Sequence, residues 1–224
     1  MCGRYNIIDS PEIRDLMEQL GLPLFPETWL DIAPGGRGQI VYDGGRGRTL
    51  VDAVWSLLIE PHPNGQGYRP SPRYSTFNAR AGSLEQSPLW RKRVHRQRAI
   101  IPASGFHEWT GPKGHKQCHY IAPVGSAIAF AGLYELWDFD GDCVPAFTII
   151  TLPPHPRFSH IHSKSLPLML RPGDFDAWLD PGLTSLDPFR SLFEPRIRTP
   201  LRVTPVRSPR DLANVGEEEI IDAD

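Results

Sequence analysis

Apolar residues near the start of the chain recur at intervals of three or four, the spacing that places them on one face of a helix. They are Ile13, Leu16, Met17 and Leu20. Ser10 and Pro11 precede them as a capping hydroxyl and a proline whose missing N–H costs nothing at the first helical position. Gly21 and Pro23 follow as stop signals. The pattern predicts an amphipathic helix that begins at Ser10-Pro11 and ends at Gly21.

Three later segments are short, apolar and rich in β-branched or aromatic residues, a pattern typical of buried strands. They span residues 51–59, 127–134 and 143–151. Further helices are predicted after Ser87-Pro88, Pro172-Gly173 and Asp187-Pro188. Helices and strands do not alternate strictly. We therefore predict an α+β fold, with a mixed, mostly antiparallel and barrel-like β-sheet core and flanking helices.

The length of 224 residues suits one domain, and we expect residues 1–224 to form it, with an acidic tail at about 216–224. No apolar run approaches the roughly 18 to 20 residues that cross a bilayer, which excludes a membrane-spanning protein. The net charge of −2 does not show how unevenly the charge is distributed, since the last eight residues hold five acids. Bulk charge therefore says little about partners.

A run of basic residues with no acid lies between Trp90 and Arg98. Its members are Arg91, Lys92, Arg93, Arg96 and Arg98. On a helix, this density would make a cationic face that suits phosphate backbones. A solvated helix face without a partner fits the same pattern.

The three cysteines, Cys2, Cys118 and Cys143, are too few for a disulfide framework, and none belongs to a C-x-x-C pair. Cys2 directly follows the initiator methionine, so removal of Met1 would give one residue both an α-amine and a thiol. An α-amine has a pKa of roughly 7.7 to 8.0 and is partly nucleophilic at neutral pH. It can attack an aldehyde to form an imine, which the thiol then closes to a thiazolidine. Cys2 is therefore suited to trapping an aldehyde, although any residue can occupy position 2.

Several further segments, taken together with Cys2, resemble the SOS response-associated peptidase (SRAP) family, whose bacterial and human members shield abasic sites in single-stranded DNA. The resemblance extends from residue 2 to about residue 180. Its pieces follow the family order: Met-Cys-Gly-Arg at the start, Ile32-Ala33-Pro34, Trp55, Asn78-Ala79-Arg80-Ala81, Ile101-Pro102-Ala103-Ser104-Gly105-Phe106-His107-Glu108-Trp109, Phe130-Ala131-Gly132-Leu133 and Ile149-Ile150-Thr151.

The resemblance implies a catalytic group of four residues. Cys2 would be the nucleophile that forms a thiazolidine with the ring-opened sugar of an abasic site. Glu108 would be the general acid and base, Asn78 would orient the N-terminal residue, and His162 would hold the sugar hydroxyl or assist ring opening. No cofactor or metal is implied. Taken singly, Glu108 could be a surface carboxylate, Asn78 a turn residue and His162 a structural histidine.

The same resemblance assigns DNA contacts. Arg4 and Arg80 would hold phosphates beside the lesion, and Trp55 and Phe106 are candidates for stacking beside an unpaired base, although both aromatics could equally be core residues. Lys164 stands where the family has arginine and would replace it without the planar bidentate contact.

This chain departs from the family pattern at several positions. Ala99 replaces a cysteine, His107 a tyrosine and Ser56 a glycine, and Gly82-Ser83 replace glutamate and threonine. The segment after His162 is one residue longer than usual. His160 therefore stays an alternative for the functional histidine, since residues two apart on a strand face the same side.

We expect an enzyme of the abasic-site-processing type, which forms a DNA–protein crosslink through Schiff-base chemistry. Its partner would be single-stranded DNA that contains abasic sites. We expect a cytoplasmic monomer without a secretion signal, associated with the nucleoid through DNA. Two other functions remain open: a cysteine peptidase that uses Cys2, His162 and Asn78 and removes its own Met1, and a noncatalytic single-stranded-DNA-binding module. A metal site formed by His155, His160 and His162 is the weakest candidate.

Overall fold

The computed structural model describes residues 3–22 and 24–224. Within these ranges the chain forms sixteen strands, three α-helices and four short 3-10 helices. The strands are β1 (Tyr5–Ile7), β2 (Trp29–Ile32), β3 (Arg37–Asp43), β4 (Arg48–Trp55), β5 (Ile59–Pro61), β6 (Tyr68–Pro70), β7 (Asn78–Arg80), β8 (Arg98–Ala103), β9 (Gly105–Thr110), β10 (Gln117–Pro123), β11 (Ile128–Phe139), β12 (Asp142–Leu152), β13 (Leu166–Pro167), β14 (Leu201–Ser208), β15 (Asp211–Asn214) and β16 (Glu219–Ile221). The helices are α1 (Pro11–Gln19), α2 (Pro88–Val94) and α3 (Phe175–Leu179), and the 3-10 helices are Ala81–Ser83, Pro156–Phe158, Pro172–Asp174 and Asp187–Phe193.

One sheet closes on itself into a five-stranded barrel. Its order is β11-β8-β3-β4-β12, and β12 pairs again with β11 to complete the circle. Every pairing in the circle is antiparallel except β4 with β12. Beyond the end of β4, β7 takes over as a parallel neighbour of β12. The closed barrel leaves no free edge among its five strands.

The second sheet is curled but open, in the order β2-β1-β9-β10-β14, with β15 and β16 both paired to β14. All of its pairings are antiparallel. β1 lies inside this sheet, between β2 and β9. The start of the chain is therefore held on both edges by backbone hydrogen bonds.

Aromatic rings join the two sheets. The Tyr5 ring reaches from β1 into the core, with its centroid 5.1 Å from that of Trp55 and 6.1 Å from that of Phe130. Gly38 on β3 makes room for it, since a Cβ atom there would lie 2.2 Å from the Tyr5 hydroxyl. The barrel and the curled sheet thus share one core that Tyr5 crosses.

The predicted fold class is confirmed, and so are most of the predicted elements. The helix after Ser10 forms as α1, and the Ser10 Oγ accepts a hydrogen bond of 3.3 Å from the Ile13 N–H. The segment at 51–59 is divided between β4 and β5, while the segments at 127–134 and 143–151 lie within β11 and β12. The helix predicted after Asp187-Pro188 is a 3-10 helix, not an α-helix. No helix in the described part of the chain is both long and apolar enough to span a bilayer.

The basic run does not form one exposed cationic face. Arg93 is buried and pairs with Glu135 at 2.6 Å. Arg98 is also buried, where its guanidinium donates to the carbonyls of Trp178, Val94, Asp180 and Leu183. Only Arg91, Lys92 and Arg96 are exposed. The expectation of a continuous stripe is wrong, because two of its five charges hold the fold together.

His107 on β9 is fully buried, and neither ring nitrogen has a hydrogen-bond partner among the described residues. Its ring packs beside Tyr120, with the centroids 5.2 Å apart. Burial lowers the pKa of His107 to about 4, although the nearby Asp31 carboxylate opposes the shift. The imidazole is therefore neutral in the folded protein near neutral pH.

We predict that His107 makes the protein less stable in mild acid. The unfolded chain protonates this histidine below pH 6.5 and the folded chain only below about 4, so stability falls as the pH falls through this interval. His107→Phe should lose roughly 2 kcal/mol less than the wild type between pH 7 and 4.5. Urea unfolding at both pH values measures this, with the exposed His115→Phe as the control. Equal losses in the wild type and His107→Phe would contradict the prediction.

Candidate active site and nucleic-acid interface

Glu108 and His162 form a buried pair at the junction of the two sheets. Glu108 lies on β9, and His162 follows the 3-10 helix Pro156–Phe158 by four residues. The His162 Nδ1 is 3.0 Å from the Glu108 Oε2. Their side chains are only 15% and 7% exposed. Because the two residues come from distant parts of the chain, the fold itself assembles this pair.

The core positions both members of the pair. On β9, Phe106 and Glu108 share one face of the strand. The Phe106 ring packs on Phe158, with the centroids 6.2 Å apart, and the Phe158 carbonyl accepts a hydrogen bond of 2.9 Å from the His162 N–H. The ring contact and this hydrogen bond therefore link the strand with Glu108 to the turn with His162.

The second oxygen of Glu108 is available for chemistry. Its Oε1 is buried and has no hydrogen-bond partner in the described part of the chain. A carboxylate has about four lone-pair sites, and the pair with His162 uses one oxygen. Glu108 can therefore accept or deliver a proton at Oε1 while Oε2 holds the imidazole in place.

A separate, mostly apolar cleft with a few polar residues lies next to the residues that follow His162. It is lined by Arg80, Thr151, Lys164 and Ser165, among other residues. Arg80 ends β7 and lies opposite Thr151 of β12, while Lys164 and Ser165 follow His162 by two and three residues. Arg80 is exposed, and no ion pair of Arg80 or Lys164 occurs among the salt bridges of the described residues. Two predicted DNA contacts, Arg80 and Lys164, thus share one cleft.

Sequence reasoning missed the two hydroxyls in this cleft. Thr151 Oγ1 and Ser165 Oγ are buried and have no hydrogen-bond partner among the described residues. Thr151 ends the apolar segment predicted as a buried strand, and a polar residue at such a strand end was the available signal. Ser165 carried no comparable signal.

Asn78 begins β7, two residues before Arg80, and lies opposite Ile149 of β12. It is therefore on the same short strand as one wall of the cleft. The structure shows no direct contact that brings Asn78 to Glu108 within the residues it describes. Cys2 lies outside the described residues, so its predicted role is not tested by geometry.

Arg4 is held by an ion pair. Its guanidinium is 2.5 Å from Asp31, and the same carboxylate is 3.1 Å from Arg210. Burial raises the pKa of Asp31, but the hydrogen bonds and charges of Arg4 and Arg210 outweigh burial and hold the pKa below its usual value. Arg4 is thus oriented by a carboxylate that competes with phosphate for it.

The two predicted stacking residues belong to the core. Trp55 and Phe106 are both fully buried. The Trp55 indole N–H donates to the Phe77 carbonyl at 2.8 Å, which fixes the ring in place. A buried ring cannot stack on an incoming base, so the structure favours a core role for Trp55 and Phe106, the alternative that their sequence context left open.

The three neighbouring histidines face three different carboxylates. His162 contacts Glu108, His160 contacts Glu219 at 2.7 Å, and His155 contacts Asp224 at 3.3 Å. His160 is half exposed and points to the acidic tail rather than to the candidate site. The geometry therefore favours His162 over His160 as the functional histidine.

Several relatives match most of this chain. The abasic site processing protein YoqW of Bacillus subtilis is 32% identical over 203 residues, which cover 87% of this chain and 87% of that protein. The abasic site processing protein YoaM of the same organism is 28% identical over 232 residues and covers 100% of this chain and 99% of that protein.

Solved structures show the same fold. A phage-related protein of Bordetella bronchiseptica has a TM-score of 0.70 at 25% identity, covering 94% of this chain and 99% of the other. A protein of Bacteroides thetaiotaomicron also has a TM-score of 0.70, at 21% identity, with 92% and 96% covered. The model of the SOS response associated peptidase (SRAP) family matches residues 1–210. The chain therefore belongs to the SRAP family.

Proposed function

We propose that this protein is a sensor of abasic sites that links covalently, through Cys2, to the ring-opened sugar in single-stranded DNA. The observation that carries the proposal is the buried Glu108–His162 pair, 3.0 Å apart, beside a cleft with Arg80 and Lys164. This arrangement supplies proton transfer next to phosphate-binding cations. The names of YoqW and YoaM as abasic site processing proteins support the substrate class.

The chemistry needs the amine and the thiol of Cys2. After removal of Met1, the α-amine adds to the sugar aldehyde at C1′, and loss of one water gives an imine. The thiol then adds to the carbon of the protonated imine and gives up its proton, and the five-membered thiazolidine, which keeps one N–H, forms. The net change is one water lost, with no oxidant, reductant or metal consumed.

Glu108 and His162 divide the proton transfers in this scheme. Glu108 delivers a proton to the leaving oxygen as water departs, and it takes a proton back when the thiol adds. His162, held by the Glu108 Oε2, faces the sugar hydroxyl and assists ring opening. The closed sugar ring has no free aldehyde, so ring opening determines how much reactive substrate is present.

The cleft holds the DNA backbone in this proposal. Arg80 and Lys164 neutralise phosphates. Arg4 contacts a further phosphate while Asp31 fixes its orientation. An aromatic residue other than Trp55 and Phe106 must supply any stacking, and Tyr74, which is 61% exposed and precedes Asn78 by four residues, is the one we propose.

A cysteine peptidase is the second candidate. A carboxylate that orients a histidine is also the arrangement of nucleophilic acyl transfer, and the family description includes the word peptidase. In that case Cys2 would attack an amide carbonyl, and self-removal of Met1 would be one such reaction. The test of Cys2 separates the two candidates.

We expect purified wild-type protein to form a denaturant-resistant complex with single-stranded DNA that carries one abasic site, in the absence of metal and reductant. Cys2→Ala has only the amine, so its imine should be trapped only with borohydride, while Cys2→Ser should give at most a weaker oxazolidine. Denaturing gels measure the complex, and intact DNA is the control. A wild type with a confirmed N-terminal cysteine that gives no complex, but cleaves peptides, would favour the peptidase.

We expect substitution of His162 and substitution of His160 to have clearly different effects on the crosslinking rate. Glu108→Gln and His162→Ala should slow crosslinking by roughly a hundredfold or more, since each loses a proton-transfer group. His160→Ala should slow it by less than about tenfold, because His160 faces the tail. Single-turnover rates across pH 5 to 9 measure these effects. A larger loss in His160→Ala than in His162→Ala would reverse the assignment.

Binding to intact single-stranded DNA should depend on salt through Arg80 and Lys164. Arg80→Gln combined with Lys164→Gln removes two phosphate contacts and should flatten the slope of log K against log salt by about 1.4. Arg91→Gln with Lys92→Gln, on the exposed face of α2, removes the same charge and is the matched control. A slope that changes only in the α2 variant would move the DNA from the cleft to that helix.

A further inference from the structure

The acidic end of the chain is an ordered part of the fold. Its residues Glu219–Ile221 form β16, which pairs with β14 in the register Val203 to Glu219 and Leu201 to Ile221. The segment lies beyond the region matched by the family model, which stops at residue 210. Its composition alone predicts only a patch of negative charge.

This end of the chain contacts the turn that carries His162. Glu219 contacts His160 at 2.7 Å, and the Asp222 carbonyl accepts a hydrogen bond of 2.8 Å from Arg157. Asp224 contacts both Arg157 and His155. Asp224 is itself held by the Ile197 N–H, which donates to its carboxylate at 2.8 Å. We call the contacts of Glu219, Asp222 and Asp224 with residues 155–160 the clasp.

The clasp and the curled sheet together connect Glu219 to both Glu108 and His162. Across the curled sheet, Glu219 lies opposite Val203, Val203 opposite Ile121, and Ile121 opposite Phe106. Phe106 is two residues from Glu108 on β9. On the other side, Glu219 contacts His160, which is two residues from His162. These pairings and contacts thus connect the sheet that carries Glu108 to the turn that carries His162.

The turn is not held by strand pairing, since residues 153–165 form no strand in the described structure. Phe158 and Ile161 pack into the core, and the Ile161 and His162 N–H groups donate to the Phe158 carbonyl. Contacts at His155, Arg157 and His160 add links to the end of the chain and oppose motion of the turn.

We propose that Glu219 and Asp224 are positioning residues that hold His162 against Glu108. The expected effect on crosslinking rests on the proposed function, whereas the effect on the His162 ring does not. A competing role for the same carboxylates is to shield Arg157 and His160 from DNA phosphates. The two roles predict opposite results, because loss of a shield would strengthen DNA binding and leave the His162 ring unchanged.

The test compares two variants with equal loss of charge in full-length protein. Glu219→Gln with Asp224→Asn removes the charge from the side-chain contacts of the clasp and weakens them. Glu217→Gln with Asp222→Asn removes two charges from the same tail and leaves those contacts in place, since Asp222 acts through its carbonyl. His160→Arg is the conservative variant, because arginine keeps an N–H donor opposite Glu219.

Three measurements decide the proposal. Nitrogen-15 spectra of the histidine rings report the contact of His162 Nδ1 with Glu108, and amide exchange reports opening of the turn at Ile161 and His162. Crosslinking at several DNA concentrations separates the maximal rate from the half-saturating concentration. The two partly exposed ion pairs are individually weak. We therefore expect the amide exchange rate of the turn and the maximal crosslinking rate to change by about three- to tenfold.

The proposal is supported if only the clasp variant shifts the His162 ring signal, speeds exchange of the turn and lowers the maximal rate with unchanged half-saturation, while His160→Arg behaves as wild type. It is overturned if the ring signal and exchange match those of the control, or if the only change is tighter DNA binding. If wild type forms no crosslink at all, the proposed function fails, and the ring signal and exchange still decide the clasp.

Discussion

The fold depends on how the first strand is held. β1 has only three residues, yet it is hydrogen bonded to β2 on one edge and to β9 on the other. The Tyr5 ring leaves this strand for the barrel core, where it meets Trp55 and Phe130 edge-on. Without this strand, β9 would lose a neighbour and the two sheets would lose the ring that crosses between them. The position of Glu108 follows, since β9 carries it.

The candidate site takes its geometry from the hydrophobic core rather than from flexible loops. Phe106 and Glu108 are neighbours on one strand face, and the contact of Phe106 with Phe158 sets the turn that ends in His162. Polar groups buried this deeply lose their hydration and must find partners. The Glu108–His162 pair satisfies that requirement for one oxygen and leaves the other for chemistry.

Sequence patterns predicted what depends on neighbouring residues and failed where distant ones decide. The cap at Ser10, the buried strands and the fold class follow from local periodicity and turn chemistry. Trp55 and Phe106 could not be assigned to core or interface, because an aromatic residue is common in both. Arg93 and Arg98 appeared exposed, since their partners Glu135 and Trp178 lie about 40 and 80 residues away. The tail is similar: its composition predicted charge, while its pairing with β14 depends on register.

The pairing of β1 with β9 also orders events during synthesis. Residues 105–106 must leave the ribosome before β1 can acquire its second neighbour, so the first strand waits for about a hundred residues, or roughly 5 to 20 s at 5–20 residues per second. Throughout this interval β1 lacks its second neighbour. Glu219 is made later still, after His160 and His162, so its contact with the turn forms only after the turn itself has been made. A nascent chain therefore exposes its N-terminus long before the Glu108–His162 pair is assembled.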